Sequence, residues 1–259
     1  MQFDRITRRV VLRLGAVALL PARAMAQADV IVAAAADLRH ALEAIGDAFA
    51  KVQAVRLRVT YGSSGNLARQ IAQGAPFELY LSADEVYADR LVSEGYAEGP
   101  GLTYGIGRLA LIARKDTPIP VETGLQAIAM ALAGNGLARF AIANPEHAPY
   151  GARAKEALER ALLWEPLKGG LVLAENVAQA AQYVTTGAAA AGITALPLVK
   201  AGPASDALKY GLIPANMHTP LRQRMVLTKR ATPAARALYT FIASPEAQAI
   251  LSRNGFEKP

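Results

Sequence analysis

Residues 56–74 limit the possible folds of this 259-residue chain more than any other stretch. In Arg56-Leu-Arg-Val-Thr-Tyr61, apolar Leu57, Val59 and Tyr61 alternate with Arg56, Arg58 and Thr60. That is the two-residue period of a strand. Gly62-Ser-Ser-Gly65 follows, and its glycines allow a turn where a side chain would clash. From Asn66 the period changes. Leu67 and Ile71 stand four apart, on one face of a helix that Gly74 and Pro76 end. Two readings of the turn fit. Ser63, Ser64 or Asn66 caps the helix; or the free N–H groups of the helix start, with the hydroxyls of Ser63 and Ser64, receive an anion.

The same order recurs on either side. Val30–Ala36 reads as a short apolar strand, followed by Asp37 as N-cap of a helix with the stripe Leu38, Leu42, Ile45 and Phe49. Phe77–Leu81 alternates as a strand, and Ser82-Ala-Asp-Glu85 resembles a capping box before a helix that ends at Gly95. Three strand–helix units in a row define an α/β protein with mostly parallel sheets covered on both faces. Ligands of such sheets collect beyond the carboxyl ends of the strands. Asp37, Ser63, Ser64 and Ser82 all fall there.

An extended stretch, Tyr104–Ala113, separates these units from a second run. There, strands are expected at Arg139–Ala143, Leu171–Ala174, Ala188–Ala195 and Leu208–Ile213, with helices at Ala152–Leu162, Val177–Thr186 and from Leu196. Leu221–Lys229 reads as an extended return, and helices open at Thr232-Pro233 and Ser244-Pro245. Two α/β lobes joined by two crossings fit this order. The expected division is 27–107 plus 221–259 for the first lobe and 108–220 for the second, with hinges near Gly107 and Leu221.

Residues 1–26 read as a secretory signal peptide. Arg5, Arg8 and Arg9 form its basic start, Val10–Leu20 is apolar apart from Arg13, and Ala24-Met-Ala26 is a cleavage signal cut after Ala26. Arg8-Arg9 also loosely resembles a twin-arginine signal. The apolar run is too short for a bilayer span. Export from the cytoplasm is the expectation. Removing the leader lowers the net charge from +7 to +3, with 23 basic and 20 acidic side chains remaining. No basic cluster marks a nucleic-acid face. Cysteine is absent, which excludes disulfides, thiolate metal sites, a cysteine nucleophile and a lipid anchor on cysteine.

Four segments carry a resemblance that covers essentially the whole mature chain. They are Ala33-Ala-Ala-Ala-Asp-Leu38, Gly62-Ser-Ser-Gly-Asn-Leu-Ala-Arg-Gln-Ile71, Gly74-Ala-Pro-Phe-Glu-Leu-Tyr-Leu-Ser-Ala-Asp84 and Asn144-Pro-Glu-His-Ala-Pro-Tyr-Gly-Ala-Arg-Ala-Lys-Glu-Ala-Leu158. In order and spacing the chain resembles the periplasmic molybdate-binding proteins of ABC importers. The resemblance implies a two-lobed periplasmic binding fold of type II, with one antiparallel crossing strand in each lobe and the ligand cleft at the hinge. It implies a monomer that captures molybdate or tungstate without any cofactor and delivers it to a membrane permease driven by an ATPase. The ligand contacts it implies are the Ser64 hydroxyl and the backbone N–H groups of Tyr150 and Val177, the metal being held only through its oxygens; the Asp37 N–H is expected to join them. Ser63 and Ala195 stand just behind them. Two positions depart from the family pattern. Asp37 stands where a serine is usual, and Ala195 where a tyrosine hydroxyl is usual; both departures bear on the ligand more than on the fold.

A fully ionised dianion needs donors only, and a carboxylate is acceptor-only. The Asp37 side chain is therefore expected to turn back as a cap. The alternative is a carboxylate that faces an oxyanion keeping a proton, such as phosphate. A hydrolase reading rests on Gly62-Ser-Ser-Gly-Asn66, which comes near a nucleophile elbow, but Asn66 replaces the second glycine. Its base would be one of His40, His147 and His218, which read as surface or structural histidines. The chain is expected not to be an enzyme.

Overall fold

The computed structural model describes residues 28–134, 136–202 and 204–259. The leader and its cleavage site lie outside the described residues. Ten strands form two sheets of five. In chain order they are β1 Ala28–Ala35, β2 Val55–Gly62, β3 Leu79–Ser82, β4 Ala97–Gly107, β5 Leu109–Arg114, β6 Phe140–Ala143, β7 Leu171–Ala174, β8 Ala191–Ala195, β9 Leu208–Leu212 and β10 Leu221–Thr228.

The first sheet has the order β2-β1-β3-β10-β4 and the second β7-β6-β8-β5-β9. In the first, β1 pairs in parallel with β2 and β3, while β10 runs antiparallel to β3 and β4. In the second, β6 pairs in parallel with β7 and β8, while β5 runs antiparallel to β8 and β9. Each sheet is thus mostly parallel with one antiparallel crossing strand, and each crossing strand comes from a connection between the sheets.

Side-chain alternation puts helices on both faces of each sheet. From β1, Val30, Val32 and Ala34 pack with Leu38, Leu42, Ile45 and the terminal helices, while Ala33 packs on the other face with Leu67, Ile71 and Tyr80. From β5, Leu109 and Leu111 face the helix Pro149–Arg160, and Ala110 and Ile112 face the helix Val177–Thr185.

The extended stretch expected over 104–113 is two strands in different sheets, parted at Arg108. Gly107 marks the crossing because a Cβ there would run into the Tyr150 hydroxyl and Gln223 Nε2. Leu221 pairs with Gly107, so both crossings run side by side. A helix at Gln126–Ala133 went unanticipated, since its apolar residues show little one-sided patterning.

The expected N-cap at Asp37 is not formed. A 3-10 turn, Ala36–Leu38, precedes the helix Arg39–Val52, and no side chain caps either. The capping box expected over Ser82–Glu85 is replaced by a cap from Asp84, which accepts from the Val86 N–H at 3.1 Å, while Ser82 Oγ accepts the Asp84 N–H at 3.2 Å.

Candidate functional site

Four chain segments end in one place between the sheets. They are the turn after β1, the turn after β2, and the starts of the helices Pro149–Arg160 and Val177–Thr185. Asp37, Ser63, Ser64, Tyr150 and Val177 all line a single small cavity there. Ala195 does not line it. It is buried at the end of β8, opposite Leu109.

The helix after β2 begins at Ser64, two residues before Asn66, so Ser64 is its first residue. Ser64 is fully buried, and its Oγ accepts the Ala83 N–H at 3.0 Å. That leaves the hydroxyl proton free to be donated. The Ser64 carbonyl is held by the Tyr80 hydroxyl at 2.8 Å. Ser63 stands at the N-cap position but caps nothing.

On the opposite side, Asn176 caps its helix by accepting from the Ala178 and Gln179 N–H groups. The Val177 N–H, one place earlier, is left without a helical partner. The Thr194 hydroxyl anchors the same residue by donating to its carbonyl at 3.0 Å. In the other helix Pro149 has no N–H, so Tyr150 carries the first amide, and Ala148 offers no side-chain cap. Gly151 lets this helix start against the end of β6, since a Cβ there would overlap the Ala143 carbonyl. Hydroxyls and first-turn amides therefore converge on one small space, and no Lys or Arg side chain lines it. This is an arrangement of neutral donors, aided by helix dipoles, that favours an anion.

Asp37 is the exception to the donor set. It is 1% exposed, and its Oδ2 accepts from Gln223 Nε2 at 2.5 Å. Gln223 Nε2 also reaches the Tyr150 oxygen at 3.0 Å, while its Oε1 accepts from the Tyr104 hydroxyl at 2.8 Å. Burial pushes the Asp37 carboxyl up to about 6. The hydrogen bond from Gln223, the nearby Tyr150 hydroxyl and the amides of Asp37 and Leu38 oppose that rise. None of them completes a hydrogen bond to Oδ1, which is buried and unpaired. Burial and the Asp37 charge hold the Tyr150 and Tyr104 hydroxyls well above their ordinary range.

Other residues that bridge the sheets were not singled out as site residues in the sequence. Gln223 carried a signal: it is a polar residue at an inward position of the alternation Leu221, Gln223, Met225, all fully buried. Arg153 donates to Asp84 Oδ2 at 2.7 Å and also pairs with Glu156, whose other oxygen accepts the Thr219 N–H. His147 is no lone surface histidine. Its carbonyl accepts the Gly65 N–H at 2.9 Å, and its Nδ1 shares a hydrogen bond with Ser63 Oγ at 2.9 Å. Asn66 donates to Glu175 beside it.

Ser63, His147 and Glu175 form a sequence of groups reminiscent of a nucleophile, base and orienting acid. His147 Nε2 lies 3.7 Å from Glu175 Oε2, too far to hydrogen-bond, and Glu175 is half exposed. The imidazole thus lacks the fixed partner that such chemistry requires. Ser64 has no histidine partner at all; its Oγ is taken by an amide. Among the described residues no group of three potential metal ligands exists, and no helix is long and apolar enough to cross a membrane.

Two mixed sheets joined by paired crossings, with an anion-ready cavity between them, define a two-lobed solute-binding protein. A profile for bacterial extracellular solute-binding proteins matches residues 30–257. The chain is 34% identical to the molybdate-binding protein ModA of Azotobacter vinelandii over 252 residues, 96% of each protein. It is likewise 34% identical to ModA of Rhodobacter capsulatus, covering 95% of this chain and 96% of that one. The solved periplasmic molybdate-binding protein of Azotobacter vinelandii superimposes with a TM-score of 0.80 at 31% identity, over 89% of this chain and 99% of that one. The chain belongs to the bacterial extracellular solute-binding protein family.

Proposed function

We propose that this chain is a periplasmic carrier of molybdate or tungstate, which it hands to the permease and ATPase of an ABC importer. The observation that carries this reading is the cavity itself. It is small, lined by neutral donors from both lobes, and free of basic side chains. A cavity this small suits a small anion rather than a larger organic ligand. The names of the relatives supply the choice of ion. The donors are the Ser64 hydroxyl and the amides of Asp37, Tyr150 and Val177, with Ser63 behind them.

In this reading the lobes are 27–107 plus 221–259 and 108–220, and they hinge at Gly107 and Leu221. Each lobe holds part of the donor set, so the ligand stabilises the closed form over the open one. The carrier works as a monomer after removal of a leader cut behind Ala26, and it catalyses no reaction. A second reading, a carrier of a protonated oxyanion such as phosphate, is favoured by one observation: the unpaired Oδ1 of Asp37.

Titration calorimetry with molybdate, tungstate, sulfate and phosphate decides between them. Heat with molybdate or tungstate is the expected result; heat with phosphate alone would overturn the first reading. Ser64→Ala should weaken binding by about 10- to 100-fold, the loss of ~1.5–3 kcal/mol for a hydrogen bond to a charged group.

A further inference from the structure

A carboxylate in a site for a dianion is a contradiction unless something neutralises it. Asp37 lines the cavity, is 1% exposed, and has one oxygen satisfied by Gln223 and the other unpaired. No ion pair reaches it among the described residues. β10 presents neutral Gln223 to it, β4 presents Tyr104, and the helix Pro149–Arg160 presents Tyr150. The helices Arg39–Val52, Val177–Thr185 and Leu196–Lys200 also pack against its turn. Their charged or titratable side chains are Arg39, which lies over the Tyr61 ring, His40, Glu43, Asp47 and Lys51 in the first, Tyr183 in the second and exposed Lys200 in the third. None of these forms a hydrogen bond or ion pair with Asp37.

We propose that Asp37 is a specificity-determining donor: its Oδ1 carries a proton and gives it in a hydrogen bond to an oxygen of the bound anion. In this form the side chain mimics an asparagine, with one oxygen accepting from Gln223 and the other atom donating into the cavity. A bare dianion then binds together with one proton taken from solution. The proton ends on Asp37, no covalent bond to the ligand forms, and the net charge added to the cavity is one unit smaller. An anion that arrives with its own proton needs none from solution. This inference rests on the oxyanion reading proposed above and adds a proton to it.

Burial already favours the protonated form, with the carboxyl titrating at about 6. Above that pH each unit should lower molybdate affinity about tenfold, because the proton must be bound first. The test is titration calorimetry of the purified protein with sodium molybdate from pH 6 to 9, in pairs of buffers with different ionisation enthalpies. Expected is an uptake of about one proton per molybdate at pH 8, falling to about half near pH 6. Asp37→Asn should abolish the uptake and flatten the pH dependence. Molybdate binding at pH 8 with no proton uptake overturns the inference alone, and so does an Asp37→Asn protein that keeps the wild-type pH slope. No binding of molybdate at any pH overturns the oxyanion reading and this inference with it. The buffer comparison on the unaltered protein decides the matter even where the variant fails to fold.

Discussion

At the hinge end of the cleft the lobes are tied by a network of fully buried side chains, and at its mouth by contacts that grade from buried Ser63 and Gly65, through part-buried Asn66 and His147, to exposed Glu175. The hinge end holds Asp37, Gln223, Tyr104 and Tyr150, with Asp84–Arg153–Glu156 beside them and Thr219 of the return crossing attached. The mouth holds Ser63, Gly65 and Asn66 against His147 and Glu175. A buried polar network is costly to leave half-satisfied, whereas exposed groups that part are re-solvated. The difference assigns different work to the two ends. The hinge end fixes the relation of the lobes and takes part in folding. In the proposed carrier the mouth, whose outermost pair is already solvated at Glu175, parts at a lower cost than the hinge end and affects chiefly the ligand-bound state.

Two alanine substitutions test that division most strongly. At Gly107 a Cβ would overlap the Tyr150 hydroxyl of the second lobe and come within 2.8 Å of Gln223 Nε2 in the first. The second clash persists whichever way the lobes stand. Gly107→Ala should therefore lower the stability of the empty protein by about 1–3 kcal/mol, as overpacking does, and weaken ligand binding as well. At Gly65 a Cβ would meet the His147 carbonyl at 2.8 Å, a contact made across the lobes, and Tyr87 Cε1 of its own lobe at 3.0 Å, which a small turn of that half-exposed ring relieves. Gly65→Ala should weaken binding by about 10-fold or more, a cost of at least ~1.4 kcal/mol placed on the closed form. Its empty-state melting temperature should stay near wild type. Equal losses of empty-state stability in the two variants would erase the distinction.

The mouth was more legible in the sequence than the hinge. Ser63 and Ser64 sit in a turn whose glycines and flanking periods announce a strand–helix junction, and Asn176 precedes an evident helix start. Local chemistry decides such places. The hinge network joins Asp37 to Gln223, 186 residues away, and Gln223 to Tyr150 and Tyr104. No local pattern encodes those pairings; they follow from β10 inserting between β3 and β4. Asp37 was misread as a cap for the same reason. Asp before a helix usually caps it, but here a buried glutamine from a distant strand holds the carboxylate instead. His147, read as a surface or structural histidine in a loop that could reach a cleft, does reach it, but its partners Ser63 and Gly65 belong to a distant turn and cannot be read from its own loop.

The hinge end should also leave a pH signature that the mouth lacks. Asp37 titrates near 3.8 in an unfolded chain and at about 6 when folded. Between those values the folded form binds more protons than the unfolded one, so stability falls as pH rises through that window and stays lowered above it. Asp37→Asn removes the buried charge. At pH 8 it should stabilise the empty protein by on the order of 3 kcal/mol, and the gain should vanish below pH ~4. Thermal melts of both proteins from pH 4 to 8 measure this directly. A gap that does not change with pH would mean that the Asp37 carboxyl carries the same charge folded and unfolded.

The smallest effect belongs to Glu175 at the mouth. Its side chain is 56% exposed, and it accepts from Asn66 and lies 3.7 Å from His147. Exposed pairs of this kind are worth ~0.2–1 kcal/mol. Glu175→Gln keeps an oxygen for Asn66 and removes one negative charge from the path of an incoming anion. Release should quicken slightly as the pair with His147 is lost, while capture quickens as repulsion is removed. The two changes offset, leaving Kd within about threefold of wild type. Capture should gain most at low ionic strength, since 0.15 M salt screens charges beyond ~8 Å. Stopped-flow binding at two salt concentrations separates the rates. A loss of affinity above tenfold would show that the mouth holds the lobes together as firmly as the hinge.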